Sequence, residues 1–259
     1  MISCLSVASK THLFAALLLT AILTAADPVA PEILHLARIQ SKAKVALSSI
    51  PAYTCSEVME RSVRTSSRYN FHQIDELKFE VAEIGGKELF SRPGEKDFSE
   101  LALKEYANRG LIATGMFYHL SNTVFGTPVA RFTYAGTKRI KGRRTLQYDL
   151  TVSSLFASYH LNFNNYGANC GFRGSIWADA SSFDLVRMRI EATEIPPQML
   201  LYEAVTEIDY TRAALDGKSY LIPSSAEIVT VFFNGNESRN QIHFSNCHKY
   251  GVESTVTFQ

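Results

Sequence analysis

Apolar residues return at every second position along most of this chain. The stretch from Gly174 to Ala192 reads as two strands joined by a tight polar turn. After the turn, Val186, Met188, Ile190 and Ala192 alternate with Arg187, Arg189 and Glu191. That is the period of a strand with one dry and one wet face. Upstream, Tyr53, Cys55, Met59 and Val63 open a first strand, and Leu77, Phe79 and Val81 a second, which Gly85-Gly86 turns into Glu88-Leu-Phe90. Phe132 and Tyr134 lead into a Lys141-Gly142 turn, after which Leu146, Tyr148, Leu150 and Val152 alternate with Thr145, Gln147, Asp149 and Thr151. Tyr159, Leu161 and Phe163 form the next strand, ended by Asn164-Asn-Tyr-Gly167. Beyond the hairpin, Pro196-Pro197 stops its second strand, and Tyr202, Ala204, Ile208 and Tyr210 then alternate with Glu203, Glu207 and Asp209. Asp216-Gly217 and Asn234-Gly-Asn236 mark two more turns, and a last strand is expected near Val256.

Three segments break the alternation. From Pro31 to about Leu47 the apolar residues Leu36, Ile39, Ala43, Ala46 and Ile50 fall three or four apart, with Pro31 and Glu32 in the first turn and Pro51 as the stop. Asp97 and Glu100 have the spacing of a capping box that opens a helix through Leu101, Leu103 and Tyr106, closed by Gly110. A short helix is expected from Gly115 to about Val124, with Met116, Leu120 and Val124 on one face. Consecutive strands on short turns are antiparallel neighbours. About ten of them plus these helices predict an α+β fold, a large curved antiparallel sheet whose inner face is covered by helices or left as a cavity.

Composition adds compartment and excludes some partners. With 259 residues, a net charge of +1 and 20% charged residues, the chain lacks the basic excess of a nucleic-acid binder. Its one basic run, Lys138 to Arg144, straddles Gly142 and reads as a solvated turn. Lys10, the apolar run Leu13–Leu23 and the small residues Thr24-Ala-Ala26 have the order of an export signal. Residues 1–26 are therefore expected to be a signal peptide and 27–259 a single domain, periplasmic or secreted. No transmembrane segment is expected after the signal is removed. Export permits a disulfide between two of Cys55, Cys170 and Cys247. Cys55 and Cys247 are the expected pair, because a curved sheet brings its first and last strands together and Cys170 sits in a turn-rich stretch. Three positions apart, Phe244 and Cys247 are expected on opposite strand faces, as are His243 and His248, five apart.

Candidate chemistry is sparse. The chain has no Gly-x-Ser-x-Gly elbow, His-Glu-x-x-His, phosphate loop or dinucleotide fingerprint, and no cofactor, catalytic residue or metal ligand is assigned. Glu203, Glu207 and Asp209 read as a solvated face on which Arg187 and Arg189 find cross-strand partners. Trp177 shares a face with Arg173, Ser175 and Asp179, and has Arg173 or a helix as its candidate neighbour. More suggestive are the aromatic side chains on the apolar strand faces, Phe132, Tyr134, Tyr148, Tyr159, Phe163 and Tyr210. In a closed sheet they are core; in an open, curved one they line a pocket for an apolar ligand.

Tyr53-Thr-Cys55, Val81 to Phe90, Trp177-Ala-Asp, Glu194-Ile-Pro-Pro197 and Ser238 to Ser254 together resemble a family of uncharacterised secreted bacterial proteins. More distantly, the helix-then-strands order and the Trp177-Ala-Asp hairpin ending in Leu185-Val-Arg187 resemble the periplasmic lipoprotein-carrier fold, shared with regulators that bind an anti-sigma factor. That resemblance implies an incompletely closed β-barrel with helices on its concave side, holding acyl chains or a peptide. The expected function is non-catalytic binding of a lipid, lipoprotein or other apolar ligand in the cell envelope. A protein-binding envelope sensor or scaffold comes second and a hydrolase third. A dry cavity of several hundred Å³ is the mark of the first.

Overall fold

The computed structural model describes residues 29–95, 97–100, 118–156, 159–163 and 166–251. The expected signal peptide, the helix expected from Asp97 through Tyr106, the Asn164-Asn165 turn and the strand near Val256 fall wholly or mainly outside them.

Helix α1 spans Pro31–Ser49, with proline in its first turn and Glu32 at the positive end of its dipole. It leads to strands β1 (Tyr53–Arg64), β2 (His72–Ile84) and β3 (Lys87–Ser91). A single helical turn, α2 (His119–Ser121), runs into a π turn over Asn122–Gly126; the start of the short helix expected from Gly115 lies outside the described residues. Strands β4 (Arg131–Ile140), β5 (Arg143–Val152), β6 (Tyr159–Phe163), β7 (Tyr166–Asp179) and β8 (Leu185–Thr193) follow. After a 3-10 turn at Pro197–Met199 come β9 (Leu201–Leu215), β10 (Lys218–Phe232) and β11 (Glu237–Lys249).

All eleven strands join one antiparallel sheet in the order β3-β2-β1-β11-β10-β9-β8-β7-β5-β4, with β6 alongside the start of β7. β3 and β4 do not pair with each other, so the barrel is incomplete. The concave side carries the main core, in which Met59, Tyr148, Ile176, Met188, Ile190 and Ile208 are almost wholly buried. Ile39 of α1 and Leu120, Val124 and Phe125 of the π-turn segment pack into the same core. The helices therefore cover part of the concave side, as a one-sided apolar sheet requires.

β1 and β11 are neighbours, and a disulfide joins Cys55 to Cys247 with their Cα atoms 4.1 Å apart. Cys170 is a buried free thiol whose pKa burial pushes up, which makes it a packing residue rather than a nucleophile.

The alternation read from the sequence holds between β-bulges and slips by one residue across them. In β8 the register passes from Arg187 to Leu185, leaving Val186 as the extra residue. Leu185 thus takes the inner position, and Val186 turns to the convex side. There Val186 packs with Trp177 and Ile140, the Lys138 ammonium lies over the indole, and Trp177 Nε1 donates to Gln147. Among the described residues, these strand side chains, rather than Arg173 or a helix, are the neighbours of Trp177. In β9 the pairing with β10 skips Tyr202, so Leu201 is buried while Tyr202 is 69% exposed. In β11 an irregularity between the partners of Thr54 and Ser56 includes Asn246 at φ 52° and brings Phe244 and Cys247 onto one face, both packed against Tyr53 and Cys55. The expectation of opposite faces for Phe244 and Cys247 is corrected by that extra residue. The same extra residue overturns the expectation for His243 and His248, which pair with Val58 and Thr54 and so share a face, both exposed; no cluster of His, Cys, Asp or Glu among the described residues could hold a metal ion.

Candidate functional site

The concave face is not filled uniformly beneath the second half of α1. On that side the helix presents Ala43 and Ala46, methyl groups where a leucine would close the gap, above Tyr53, Leu185, Tyr210 and Leu221. A cavity of about 40 Å³ results, walled on its other sides by Leu47, Ile50, Tyr118, Ser121, Phe125, Pro223 and Glu83. A second cavity, about 200 Å³, flanks the same stretch of helix and shares Ala43, Ala46, Leu185 and Leu221 with the first. Its mouth is polar, with Lys42, Ser49, Asp184, Arg212 and Ser219 beside Val45, Phe183 and Tyr220. Neither reaches the several hundred Å³ that a drug-sized or acyl ligand fills.

Polar ties add to the packing of Leu36, Ile39, Ala43 and Leu47 of α1 against the core. Tyr148 Oη donates to the Glu32 carbonyl at 2.6 Å in the first turn. Lys42 Nζ donates to the Ser182 carbonyl at 2.6 Å and pairs with Asp184 at 2.7 Å, while Arg212 grips the same carboxylate through Nε and Nη2 at 2.8 and 2.9 Å. His35 and Arg38 lie on the ring of Phe183, the tip of the β7–β8 turn, whose backbone is held at φ 60°. Lys42 and Arg212 keep Asp184 below its usual pKa against the effect of burial, so the carboxylate is charged at neutral pH.

Of the six aromatic residues expected to line a pocket, Tyr210 does so. Its hydroxyl shares a 2.8 Å hydrogen bond with Ser121 Oγ, and burial raises its pKa far above 10, so it stays a neutral phenol. Tyr148 and Tyr159 are core residues, each pushed up to about 12 by burial, with hydroxyls satisfied by the Glu32 carbonyl and by Thr206 Oγ1 at 2.9 Å. Phe132 stacks on Phe125 from beside the core, and Tyr134, 40% exposed, leans on Tyr148 near a β4 bulge. Phe163 closes β6, where it pairs with Tyr166. The sequence reading missed Ala43, Ala46, Leu185, Leu221 and Pro223. The signal for the alanines was present, since they occupy the helix's apolar stripe without filling it.

The inner ends of β1, β2 and β3 carry carboxyl groups. Glu83 lines the small cavity and accepts a 2.6 Å hydrogen bond from the Gly86 amide, yet burial raises its pKa. Beyond it Glu57 is 2% exposed, Oε1 has no hydrogen-bond partner among the described residues, and burial with Glu88 nearby raises its pKa to about 8. On the convex face Arg187 bridges β8 to Asp209 and Glu207 of β9, and Lys141 reaches Asp209, which makes that face a solvated ion-pair lattice.

No known protein family and no curated protein matches this sequence. Among solved structures, the chain is similar to a LolA superfamily protein from Nitrosomonas europaea, with 10% identity, a TM-score of 0.39, and 85% of this chain and 96% of that one covered. It is similar also to a DUF1329 family protein from Desulfovibrio piger (12% identity, TM-score 0.40, coverage 85% and 92%). A third is LprF from Mycobacterium bovis (14% identity, TM-score 0.35, coverage 86% and 95%). At these identities and TM-scores nothing about family, ligand or activity rests on these likenesses. No helix among the described residues is long and apolar enough to cross a membrane.

Proposed function

We propose that this protein binds an apolar ligand without chemical conversion, holding it between α1 and the concave face of the half-barrel in the cell envelope. The observation that carries the reading is the pair of adjoining cavities under the alanines of α1. A helix that packed purely as core would bury larger side chains there, because interiors are filled to crystal-like density. The export signal read in residues 1–26 supports the envelope as its place of work.

A neutral fluorescent hydrocarbon probe tests this. It should bind saturably to the wild-type protein and be displaced by long-chain lipids. Ala46→Trp, which fills the shared wall, should lower affinity at least about tenfold while leaving the far-ultraviolet spectrum unchanged. Absence of saturable binding in folded wild-type protein refutes the proposal. It would leave the envelope scaffold ahead, for which the exposed cluster of Leu200, Tyr202 and Phe233 at one rim of the sheet supplies an apolar contact surface.

A further inference from the structure

We propose that the ligand carries an oxyanion head group, a carboxylate or phosphate on an acyl chain, and that Lys42 and Arg212 receive that head at the mouth of the larger cavity. The inference rests on the apolar-ligand reading above and names the ligand's polar end.

Three observations support it. The larger cavity is amphipathic: Lys42, Ser49, Arg212 and Ser219 lie at one side, and the residues shared with the smaller cavity are Ala43, Ala46, Leu185 and Leu221. Polar mouth and apolar depth thus adjoin, which is the shape of an amphiphile. At that mouth two cations share the single carboxylate of Asp184. Arg38, one turn before Lys42, lies over the Phe183 ring outside the cavity, whose charged lining is Lys42 and Arg212 against Asp184 alone. The surplus is therefore positive. Finally, Lys42 and Arg212 keep 40% and 45% of their side chains exposed while Asp184 keeps 14%, so both cations face the open side and the carboxylate lies behind them.

Guanidinium and ammonium groups suit a carboxylate or phosphate, through charge-assisted hydrogen bonds. An arriving head takes Lys42 from Asp184. This weakens the tie between α1 and the β7–β8 turn, and the helix can then lift to admit the chain. Head recognition and opening are in this way one event.

The test compares three probes of equal chain length on the full protein: a fatty acid, the corresponding fatty alcohol and the corresponding alkylamine. A lysophosphatidic acid is added to separate carboxylate from phosphate heads. Acetate and inorganic phosphate serve as chainless controls. The anionic amphiphiles should bind at least about tenfold tighter than the alcohol and the amine weakest of all, and the chainless anions should not displace them. Lys42→Met with Arg212→Met should abolish the preference, bringing the fatty acid, the lysophosphatidic acid and the alcohol to the same affinity, and Lys42→Arg should preserve it. Asp184→Asn, which frees both cations, should tighten anionic binding several-fold. Thermal melts of each variant confirm folding. Equal affinity for the three heads, a preference for the amine, or a preference that survives the double substitution overturns the proposal and leaves the apolar-ligand reading standing. Failure of every amphiphile to bind overturns the head-group proposal, and overturns both when the hydrocarbon probe fails as well.

Discussion

Glu57 sets a pH dependence that can be worked out in advance. It lies in β1 on the same inward face as Cys55 and Met59, paired across the sheet with Phe79 and Phe244. Burial comes first and the neighbouring Glu88 second among the causes that raise its pKa from 4.5 to about 8. Between those values the folded protein holds a proton that the unfolded chain has released. Unfolding stability must then fall as pH rises, by about 1.4 kcal/mol per pH unit and by about 5 kcal/mol at most over the whole interval. Glu57 therefore contributes no such penalty below pH 4.5, and the full one once pH exceeds about 8. Glu57→Gln keeps the shape and removes the ionisation. Urea denaturation of wild type and variant at pH 5, 7 and 9 measures the difference. The variant should match the wild type within about 1 kcal/mol at pH 5 and exceed it by about 3–5 kcal/mol at pH 9. A difference that stays constant across the three pH values would show that Glu57 is either solvated or paired, and the reasoning would fail.

Tyr148→Phe should cost about 1 kcal/mol, the usual worth of one hydrogen bond, and should speed amide exchange in the first turns of α1; unchanged exchange there would mean that Tyr148 does not anchor the helix. Reducing the Cys55–Cys247 bridge, with a sequence separation of 192, should lower stability by up to about 5 kcal/mol on the loop-entropy model, and a urea midpoint unmoved by reductant would contradict it. Gly174→Ala should cost about 2–3 kcal/mol, because a Cβ there meets the Arg189 carbonyl oxygen of the paired strand, and a silent substitution would mean that β7 and β8 lie farther apart. Tyr202→Ser should shift the melting temperature little while Ile208→Ser lowers it strongly, and equal shifts would refute the β9 bulge.

By itself the sequence determined the strand segments, most of their turns and the first helix, because those features depend on neighbours two to four positions away. Asp216 at φ 52° and Gly217 at φ 73° adopt the left-handed pair that their turn chemistry demands, and the helix stops before Pro51 as its sequence requires. The Cys55–Cys247 pairing was legible for a related reason, since a curved sheet of this topology makes β1 and β11 neighbours.

What only tertiary structure decided was which alternating residues look inward past a bulge, and what the helices leave open. Val186, Tyr202 and Cys247 each sit where one extra residue shifts the pleat, and an extra residue is invisible to a period-2 pattern that reads each strand without its partner. Where the cavities lie follows a similar rule. Large aromatic residues suggest a lining, yet Tyr148 and Tyr159 fill the space they occupy, whereas the cavities arise where Ala43 and Ala46 cross above Tyr53 and Leu221. A void is a property of two surfaces brought together, and Lys42, Asp184 and Arg212, far apart along the chain, meet only after the sheet has curved beneath α1.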